Sequence, residues 1–561
     1  MKTTYMEERR AMGSTASFEN EIQSINRMIE YLKKAPNVIN ATDWTLRRNA
    51  ERFASFTKFG NIAVHSTVKN RSAKFTVCIG SPEVCQSLLN PQQTEIMNNL
   101  AKTLAAVEGY IRKAPFVRIN RNMGDNGEFS PNCNFFGSIQ RPEMIRLAYM
   151  TWSTLFPAKQ EPELKQYIIY IPEWQENERQ ILVFPEISTT VVLGTDYYGE
   201  SKKGFLRMAM WNAKQRGMLG LHAGTKILKA RKKDGSIKKY GMLIFGLSGT
   251  GKTTHTCHTH DLNHVGEGIE ILQDDVVFLK KDGSAYGSER GFYLKTEGLD
   301  AVSQPIIYKA AISREAIFEN VMVDYEGNVF FDDDTLTSNG RGIMIRSDLC
   351  PYISDSINLP PVDEMDGLIV AFITRRHTVV PLAVKLTPEQ AGAVFMLGES
   401  IETSAGDPKR AGESVRSVGT NPFIIGDKSY EGNWFYDFVK RNEGKVQCYQ
   451  LNTGGLGEII EKLPDGKKVT KRKVKRVEIG EMSTIIRGIV RGTIIWEDDK
   501  YWNFKVPAYV EDMDISVYNP EKFYDKENIA KQVSDLRRER IEFIKGFDKL
   551  HKEIVKAVET M

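Results

Sequence analysis

The sequence predicts an α/β fold with more than one domain, and three observations support this prediction. The chain has 561 residues, and at roughly 150 residues per domain this length corresponds to two to four domains with a sizeable core. Short apolar strand-like segments alternate with helical stretches along most of the chain, as they do in α/β proteins. The glycine-rich segment Gly246-Leu-Ser-Gly-Thr-Gly-Lys-Thr253 directly follows one of these strands, and a loop of this form joins a strand to a helix.

The first domain is predicted to comprise residues 1–218. Residues 18–58 are predicted as helices because apolar side chains recur at helical spacing, and Pro36 punctuates this stretch. The apolar segments 166–172 and 181–185 are predicted as strands, and residues 143–156 as a helix between such strands. This alternation favours an α/β or α+β unit.

The second domain is predicted to comprise residues 219–561. Segments 242–245, 269–272 and 368–372 are almost entirely apolar, as strands of a sheet buried on both faces must be. The tail, residues 525–561, carries an apolar stripe and is predicted as a closing helix on the surface. The basic run 467–476 is predicted as a solvated hairpin in preference to a nucleic-acid patch.

Composition excludes several classes of protein. Hydrophobic residues make up 41% of the chain and charged residues 26%, and no apolar run approaches the roughly 18 residues that cross a bilayer. The 76 basic and 72 acidic side chains nearly cancel to +4, so the chain as a whole attracts neither nucleic acid nor an anionic membrane. The N-terminus has no apolar signal region, and six scattered cysteines form no C-x-x-C pair. These features predict a cytoplasmic protein with buried thiols.

The loop that follows strand 242–245 is predicted to bind a nucleotide. Its glycines let backbone N–H groups close around phosphate oxygens, Lys252 supplies positive charge, and the Thr253 hydroxyl can ligate Mg²⁺. Asp274 and Asp275 end a later apolar strand, where a carboxylate can reach a metal bound to the nucleotide. The predicted nucleotide-binding residues of the loop are Gly246, Leu247, Ser248, Gly249, Thr250, Gly251, Lys252, Thr253 and Thr254.

Two segments upstream of the loop carry a resemblance to a known family. They are Leu193-Gly-Thr-Asp-Tyr-Tyr-Gly-Glu-Ser-Lys-Lys-Gly204 and Arg216-Gly-Met-Leu-Gly-Leu-His-Ala-Gly224. Together with the G-L-S-G-T-G-K-T-T loop, which lacks the cysteine of the GTP-dependent branch, they resemble ATP-dependent phosphoenolpyruvate carboxykinase over most of residues 190–520. The resemblance implies a two-lobed fold with the P-loop in the C-terminal nucleotide-binding domain, ATP as a substrate and a monomer.

The resemblance also implies roles for particular residues. Lys203, His222 and Asp275 match the family's Mn²⁺ ligands. Arg71 and Tyr197 match residues that bind the carboxylates of oxaloacetate, while Arg341 matches an arginine that neutralises the transferring phosphoryl group. Arg476 and Val477 match an arginine–aliphatic pair at the base. The residues implied in catalysis are Lys202, Lys203, Lys252, Asp274 and Arg341; Lys203 and Arg341 are also implied in substrate binding, and Thr253 in holding Mg²⁺.

The activity implied is decarboxylation of oxaloacetate and transfer of phosphate from ATP, giving phosphoenolpyruvate, CO₂ and ADP, in a reversible reaction. Some positions depart from the family: Val276-Val-Phe-Leu279 stands where Glu-His-Gly-Trp is typical, and Asn70, Ala73 and Phe75 flank Arg71 differently. Two alternatives follow, a kinase of the same fold for another small acid and a non-catalytic nucleotide-binding regulator.

Four histidines, His255, His258, His260 and His264, lie between the loop and the aspartates. Their spacing permits a transition-metal site if the segment is helical. A polar surface insert is the favoured alternative.

Overall fold

A computed structural model describes residues 17–85, 88–159, 164–176, 179–247, 249–401, 413–462 and 468–561. Ser248, one of the predicted loop residues, and Lys467 of the basic run lie outside these ranges. The helices are α1 Ser17–Leu32, α2 Asp43–Glu51, α3 Pro91–Asn98, α4 Leu100–Ile111, α5 Ile145–Thr154, α6 Tyr198–Gln215, α7 Lys252–Cys257, α8 Pro305–Ala311, α9 Pro388–Leu397, α10 Lys428–Arg441, α11 Ile479–Arg491, α12 Lys526–Ile544 and α13 Lys552–Thr560.

The strands form several sheets, so the protein is a mixed α/β protein. The strands are β1 Val38–Asn40, β2 Ser55–Phe56, β3 Ile62–Val64, β4 Thr76–Cys78, β5 Phe116–Asn122, β6 Asn132–Ser138, β7 Phe156–Pro157, β8 Lys165–Ile171, β9 Gln180–Phe184, β10 Thr189–Leu193, β11 Leu219–Leu221, β12 Ala223–Arg231, β13 Ile237–Phe245, β14 Gly268–Gln273, β15 Val277–Leu279, β16 Ala285–Gly287, β17 Gly291–Lys295, β18 Ile317–Glu319, β19 Met322–Val323, β20 Val329–Phe330, β21 Arg341–Ile345, β22 Gly367–Thr374, β23 Ala383–Leu386, β24 Glu399–Ile401, β25 Ser414–Arg416, β26 Val446–Asn452, β27 Gly455–Leu456, β28 Ile459–Lys462, β29 Lys468–Arg472, β30 Lys475–Arg476, β31 Ile495–Asp498 and β32 Lys505–Tyr509.

The first large sheet is built from the N-terminal third of the chain, in the order β1-β5-β6-β8-β10-β9-β4, and β7 pairs with β5. Helices cover both faces. Phe116, Ile169 and Leu182 pack against α1 and α4 on one face, whereas Phe135 and Val192 pack against α5 and α6 on the other. Because successive strand residues point to opposite faces, this double cover explains why strands such as β8 and β10 are buried along nearly all of their length.

The second large sheet has the order β14-β12-β13-β22-β26-β23-β32-β31, and its central strands β13, β22 and β26 are parallel. One face packs against α9, α10 and the C-terminal helices. The opposite face packs against α8 and α11. The carboxyl ends of the three parallel strands meet at one edge, where loops commonly bind ligands. The glycine-rich loop leaves β13 at this edge.

A third sheet, β17-β21-β18-β3-β2, joins distant parts of the chain. Its strand β3 pairs in parallel with β18, with Ile62 opposite Ile317. Residues 55–64 therefore share a sheet with residues 291–345. The division of the chain at residue 218 stays a prediction.

The C-terminal tail differs from the predicted single surface helix. It forms two helices, α12 and α13, separated by residues 545–551. Ile529, Val533 and Ile554 are buried in the main core, so the apolar stripe belongs to the core rather than to a surface layer. Within the described residues, the basic run takes part in two antiparallel pairings, as a hairpin requires of its strands: β29 pairs with β28, and β30 pairs with β27.

The cysteines are not all buried, in contrast to the prediction. Cys133, Cys257 and Cys448 are buried free thiols, but Cys350 is exposed. A membrane-crossing helix, which requires length and continuous apolarity, is not found among the described residues.

Candidate active site

The glycine-rich loop connects β13 to α7 by a turn that requires glycine at several positions. Gly249 and Gly251 have φ values of 80° and 97°, in the left-handed region that disfavours side chains. A Cβ on Gly246 would lie 2.5 Å from the Thr250 hydroxyl oxygen. That hydroxyl donates to the Leu247 carbonyl over 2.8 Å. The loop is thus folded back tightly on itself, with Lys252 opening the helix.

Side chains at the ends of the neighbouring strands hold the loop. The Thr453 hydroxyl, just after β26, donates to the Thr250 carbonyl over 2.7 Å. An Nη of Arg375, just after β22, donates to the Gly249 carbonyl over 3.0 Å. The Thr254 hydroxyl donates to Gln304 over 2.9 Å. The sequence interpretation did not assign Arg375 or Thr453 to the site, because each belongs to a strand far from the loop in sequence.

Thr253 and Asp274 form a pair beside the loop. The Thr253 hydroxyl donates to Asp274 Oδ2 over 2.8 Å. The other oxygen, Asp274 Oδ1, is buried and has no hydrogen-bond partner among the described residues. A carboxylate and a hydroxyl are the oxygen ligands that Mg²⁺ prefers, and a buried oxygen without a partner calls for one. These residues therefore fit a Mg²⁺ ion.

Asp275 lies at the centre of a buried cluster of cations. Its Oδ1 is 2.9 Å from His222 Nε2 and 3.0 Å from Lys252 Nζ, and its Oδ2 contacts Lys203 and lies 3.0 Å from Lys202. Burial alone would raise the pKa of Asp275, but Lys203, Lys252 and Lys202 hold this pKa well below its usual range. The φ value of 90° at Asp275 is rare for a non-glycine residue, and such strained backbone is concentrated at functional sites.

Lys202 and Lys203, which are adjacent in sequence, differ in the protonation state that their surroundings favour. Burial lowers the pKa of Lys203 to about 7, and repulsion by Lys202 and Lys252 contributes to this shift. Burial also opposes the charge on Lys202, but attraction to Glu289 and Asp275 raises its pKa above the usual value. Lys202 therefore stays an ammonium, whereas Lys203 can be a neutral amine. Glu289 was missed by the sequence interpretation because no motif surrounds it.

His222 presents a neutral imidazole to the same cluster. Its Nδ1 lies 2.8 Å from the Thr420 carbonyl oxygen, and its Nε2 lies 2.9 Å from Asp275 Oδ1. The tautomer that donates from Nδ1 to the carbonyl has its lone pair on Nε2, facing the cluster. Burial and the nearby Lys252 lower the pKa of His222 to about 4. The set of an amine, an imidazole and a carboxylate fits a divalent transition metal such as Mn²⁺. Within the described ranges, no three His, Cys, Asp or Glu side chains are grouped for a metal; here the third donor is a lysine.

An aromatic ring connects the predicted carboxylate-binding arginine to this cluster. The guanidinium of Arg71 lies 4.8 Å from the ring centroid of Phe423, and Lys203 Nζ lies 5.0 Å from it. Arg207 is 5.9 Å from the same centroid, and the His222 ring meets Phe423 edge to face. The structure therefore brings Arg71 close to Lys203 and His222. Phe423 and Arg207 were not found from the sequence.

Tyr197 and Arg341 meet through Asn339. The Asn339 amide donates to the Tyr197 hydroxyl over 3.4 Å, and its oxygen accepts from Arg341 at 2.7 and 3.0 Å. The same amide donates to the Lys69 carbonyl over 2.7 Å, two residues before Arg71. Arg71 and Arg341, which are 270 positions apart in sequence, thus belong to segments that contact each other.

The predicted base-binding pair lies beyond the loop edge. Gly455 pairs with Arg476 in a short antiparallel ladder, so the pair is tied to the segment that follows Thr453. Arg476 is exposed, and Val477 packs against the core beside α11. Burial lowers the pKa of Arg375, and the nearby Arg476 adds to this effect, which indicates that both guanidinium groups lie on the loop side.

Comparison with known proteins decides the family. A family model described as phosphoenolpyruvate carboxykinase matches residues 37–516. The chain belongs to the ATP-dependent phosphoenolpyruvate carboxykinase family of enzymes. Phosphoenolpyruvate carboxykinase (ATP) of Aeropyrum pernix is 32% identical over 522 residues, which cover 92% of this chain and 96% of the relative. Relatives of the same name from Bradyrhizobium diazoefficiens and Staphylococcus haemolyticus are 26% and 25% identical over 70% and 66% of this chain and 67% and 64% of their own lengths.

The match to the carboxykinase family begins earlier than the sequence resemblance suggested. The resemblance was drawn over most of residues 190–520, whereas the family model starts at residue 37. Arg71 therefore lies inside the matched region. Apart from the segment around Arg71, the motifs recognised in the sequence lie in the later part of the chain.

The histidine segment of this carboxykinase is not a helical metal site, and only part of it is a polar surface insert, since His264 is exposed. Helix α7 ends at Cys257, so the later histidines lie outside it. His255 and His260 are buried, and they surround the fully buried Lys226. The Lys226 ammonium donates to the His255 and His258 carbonyls over 2.6 and 2.9 Å and contacts His260 Nε2. Lys226 thus satisfies carbonyls at the end of the helix that starts at the loop.

Lys226 makes stability depend on pH in a defined direction. Burial lowers its pKa to about 7 from 10.5; the groups that face it are His255, Cys257, His258 and His260, with Ser483 of α11 behind His260. Between pH 7 and 10.5 the unfolded chain binds this proton and the folded chain releases it, so stability rises with pH by up to about 1.4 kcal/mol per unit.

We therefore expect the unfolding free energy of the wild type, minus that of Lys226→Met, to increase between pH 7 and 9.5. Urea unfolding at several pH values measures this difference. The half-exposed Lys229→Met on the same strand is the matched control. Parallel profiles for wild type and Lys226→Met would contradict the assignment.

Proposed function

We propose that this enzyme converts oxaloacetate and ATP to phosphoenolpyruvate, CO₂ and ADP, and that the reaction is reversible. The observation that carries the proposal is the meeting of Lys203, His222 and Asp275 with the loop lysine Lys252, whose Nζ is 3.0 Å from Asp275. These three side chains suit a metal ion that stabilises an enolate, and they lie next to the loop proposed to bind the nucleotide. We also propose the two-lobed arrangement, with residues 1–218 on the substrate side and the P-loop within a nucleotide-binding domain of residues 219–561.

The proposed substrate site lies beside Arg71 and Lys203, which both contact the Phe423 ring. Arg71 presents a planar guanidinium that can bind a carboxylate in bidentate fashion, and the Tyr197 hydroxyl lies on the adjoining segment. Lys203, His222 and Asp275 would hold Mn²⁺, which supplies Lewis-acid stabilisation of developing negative charge on oxygen. The residues themselves orient the substrate: its carboxylates would face Arg71 and Tyr197, with the reacting end toward Lys203.

Phosphoryl transfer demands positioning and charge neutralisation rather than covalent chemistry from the protein. Residues of the loop would hold the phosphates of ATP through backbone N–H groups, with Lys252 at the terminal phosphates and Thr253 with Asp274 holding Mg²⁺. Lys202, kept as an ammonium by Glu289, and Arg341 would neutralise charge on the group in transit. Arg476 and Val477 would contact the base.

Purified protein with oxaloacetate, ATP, Mg²⁺ and Mn²⁺ provides the direct test of this function. Phosphoenolpyruvate and ADP are followed together, with GTP and pyrophosphate replacing ATP in parallel reactions. We expect phosphoenolpyruvate to form with ATP. Binding of ATP without phosphoenolpyruvate formation in either direction would favour the alternatives, a kinase for another small acid or a non-catalytic regulator.

Arg71→Gln should affect oxaloacetate and not ATP. Loss of a bidentate guanidinium–carboxylate pair weakens binding by about 1.5–3 kcal/mol, so the KM for oxaloacetate should rise at least about tenfold. The KM for ATP should stay within about twofold, because Arg71 contacts the Phe423 ring and is not among the residues proposed to bind the nucleotide. Steady-state kinetics with the exposed Arg52→Gln as control measure both constants. Equal increases of the two KM values would reject this role.

A further inference from the structure

A second concave site lies away from the phosphate loop, between the first sheet and the segment around β17 and β21. It is a cleft of about 520 Å³, a size typical of small-molecule pockets. Its lining includes three arginines, Arg121, Arg290 and Arg346, together with Trp152 and Asp43. None of these residues takes part in the site described above.

The three guanidinium groups of the cleft lack carboxylate partners. None of them forms an ion pair within the described part of the chain. Arg121 donates to the Leu155 carbonyl over 2.8 Å, and Arg346 donates to the Ser354 carbonyl over 2.7 Å. Hydrogen bonds to carbonyls fix the side chains without neutralising their charge. Arg290 makes no side-chain hydrogen bond in the described structure, although its backbone N–H donates to Thr154 over 2.8 Å.

Two of these arginines also have buried nitrogen atoms without a partner, namely Nε of Arg121 and Nε of Arg346. Arg121 is only 7% exposed, and its guanidinium stacks on Trp152 at 4.4 Å from the ring centroid. Burial and the nearby Arg290 lower the pKa of Arg121 to about 10, against the attraction of Asp43. Arg290 repels Arg121, and the carboxylate that lines the cleft is the exposed Asp43, whereas Arg346 is attracted by Asp355 and Asp125. The residues that line the cleft therefore place a positive potential in it.

We propose that this cleft binds a small organic dianion, a molecule with two carboxylate or phosphate groups. The residues that line the cleft, three arginines and one aspartate, sum to a formal charge of +2, which suits a dianion; Asp355 and Asp125, which also attract Arg346, do not line it. Arginine forks match carboxylate and phosphate groups in bidentate geometry. Trp152 and Phe156 supply an apolar wall for the carbon skeleton between the two acidic groups.

The cleft shares a backbone segment with the proposed catalytic residues. Glu289, which pairs with Lys202, directly precedes Arg290. The Glu289 side chain is buried toward the lysines, whereas Arg290 lines the cleft. A ligand held by Arg290 therefore orders residues 288–290 from the opposite side.

Malonate and inorganic phosphate are suitable probes, one for each acidic group. Isothermal titration calorimetry is carried out on protein saturated with ATP, Mg²⁺ and Mn²⁺, so that the phosphate loop is already filled. We expect at least one probe to bind to the wild type, and which probe binds assigns the acidic group as carboxylate or phosphate. Arg290→Gln should weaken this binding at least about tenfold, while the exposed Arg538→Gln leaves it unchanged. Binding should also weaken as NaCl is raised.

Hydrogen exchange then locates the probe. We expect slower exchange in residues 288–291 and 345–347 of the wild type with the bound probe, and no such change in Arg290→Gln. Absence of binding by both probes up to tens of millimolar would overturn the proposal. Equal binding of the probe by wild type and Arg290→Gln would also overturn it. So would a variant that loses probe affinity only when it also loses ATP affinity. None of these measurements requires turnover, so they are independent of the proposed reaction.

Discussion

Asp275→Asn should reduce phosphoenolpyruvate formation at least about 10³-fold, the largest effect we expect from a single carboxylate. The change removes the negative charge that Lys202, Lys203, Lys252 and His222 share. Removing one partner of a buried ion pair costs about 3–5 kcal/mol because the remaining charge is left unpaired. Here several cations lose their common partner at once, so stability should fall together with activity.

Three measurements separate the two effects of Asp275→Asn. Steady-state kinetics give the loss of kcat/KM, thermal unfolding gives the loss of stability, and calorimetry gives the affinity for Mn²⁺. We expect Mn²⁺ affinity to fall even at temperatures where the variant is fully folded. The exposed Asp282→Asn should match the wild type in all three. Activity within about tenfold of the wild type would show that Asp275 is not at the reacting centre.

Lys203→Met tests whether the cluster acts as a unit. If Lys203 and Asp275 hold the same ion, the double variant should lose little more activity than either single variant, because residues that act together are not additive. Independent roles would instead multiply the two losses. The comparison needs only kcat/KM values of the wild type and three variants.

Local patterns predicted much of the fold. The strands at 242–245 and 368–372 were predicted because a sheet buried on both faces requires continuous apolar residues, and β13 and β22 contain them. The structure extends β13 back to Ile237, where the residues are partly exposed and the apolar signal is lost. Pairing between β3 and β18 was not predictable, because strands about 250 residues apart carry no local sign of their register.

The candidate site likewise contains residues that local sequence patterns predict and residues that they do not. The glycine-rich loop was found from local sequence alone, since its glycines, Lys252 and Thr253 lie within eight residues, and its binding of phosphate stays a proposal. Lys203, His222 and Asp275 were named only because their order resembles a family. Glu289, Asn339 and Phe423 were missed: each is an ordinary residue in its local sequence and gains its role from partners more than 60 residues away.

The buried histidines show where polarity in a sequence misleads. A segment with four histidines within ten residues suggests a surface insert, yet His255 and His260 are buried around Lys226. The hydrogen bonds that make burial possible come from β12 and α11, which are distant in sequence. Residue polarity predicts exposure only when no such partner is available.

Lys252→Met should nearly abolish phosphoenolpyruvate formation from ATP while sparing part of the Mn²⁺-dependent decarboxylation of oxaloacetate. Lys252 opens helix α7 beside the loop, so its loss removes charge neutralisation at the transferring phosphate, and we expect a fall of at least about 10³-fold. The residues proposed to bind oxaloacetate, Arg71 and Tyr197, remain in place. The decarboxylation of oxaloacetate therefore depends on side chains other than Lys252.

The contacts of Lys252 indicate that its loss will affect decarboxylation as well as phosphoryl transfer. Lys252 Nζ also donates to Asp275 over 3.0 Å, so removing it disturbs the carboxylate that Lys203 and His222 share. We expect decarboxylation to fall by about tenfold rather than to stay unchanged, an effect two orders of magnitude smaller than the loss of phosphoryl transfer. Pyruvate release without nucleotide and phosphoenolpyruvate formation with ATP measure the two activities, with Lys238→Met, at a half-exposed lysine, as the control. Equal losses of both activities would mean that Lys252 serves one shared step, and the division between a nucleotide lysine and a metal-side lysine would fail.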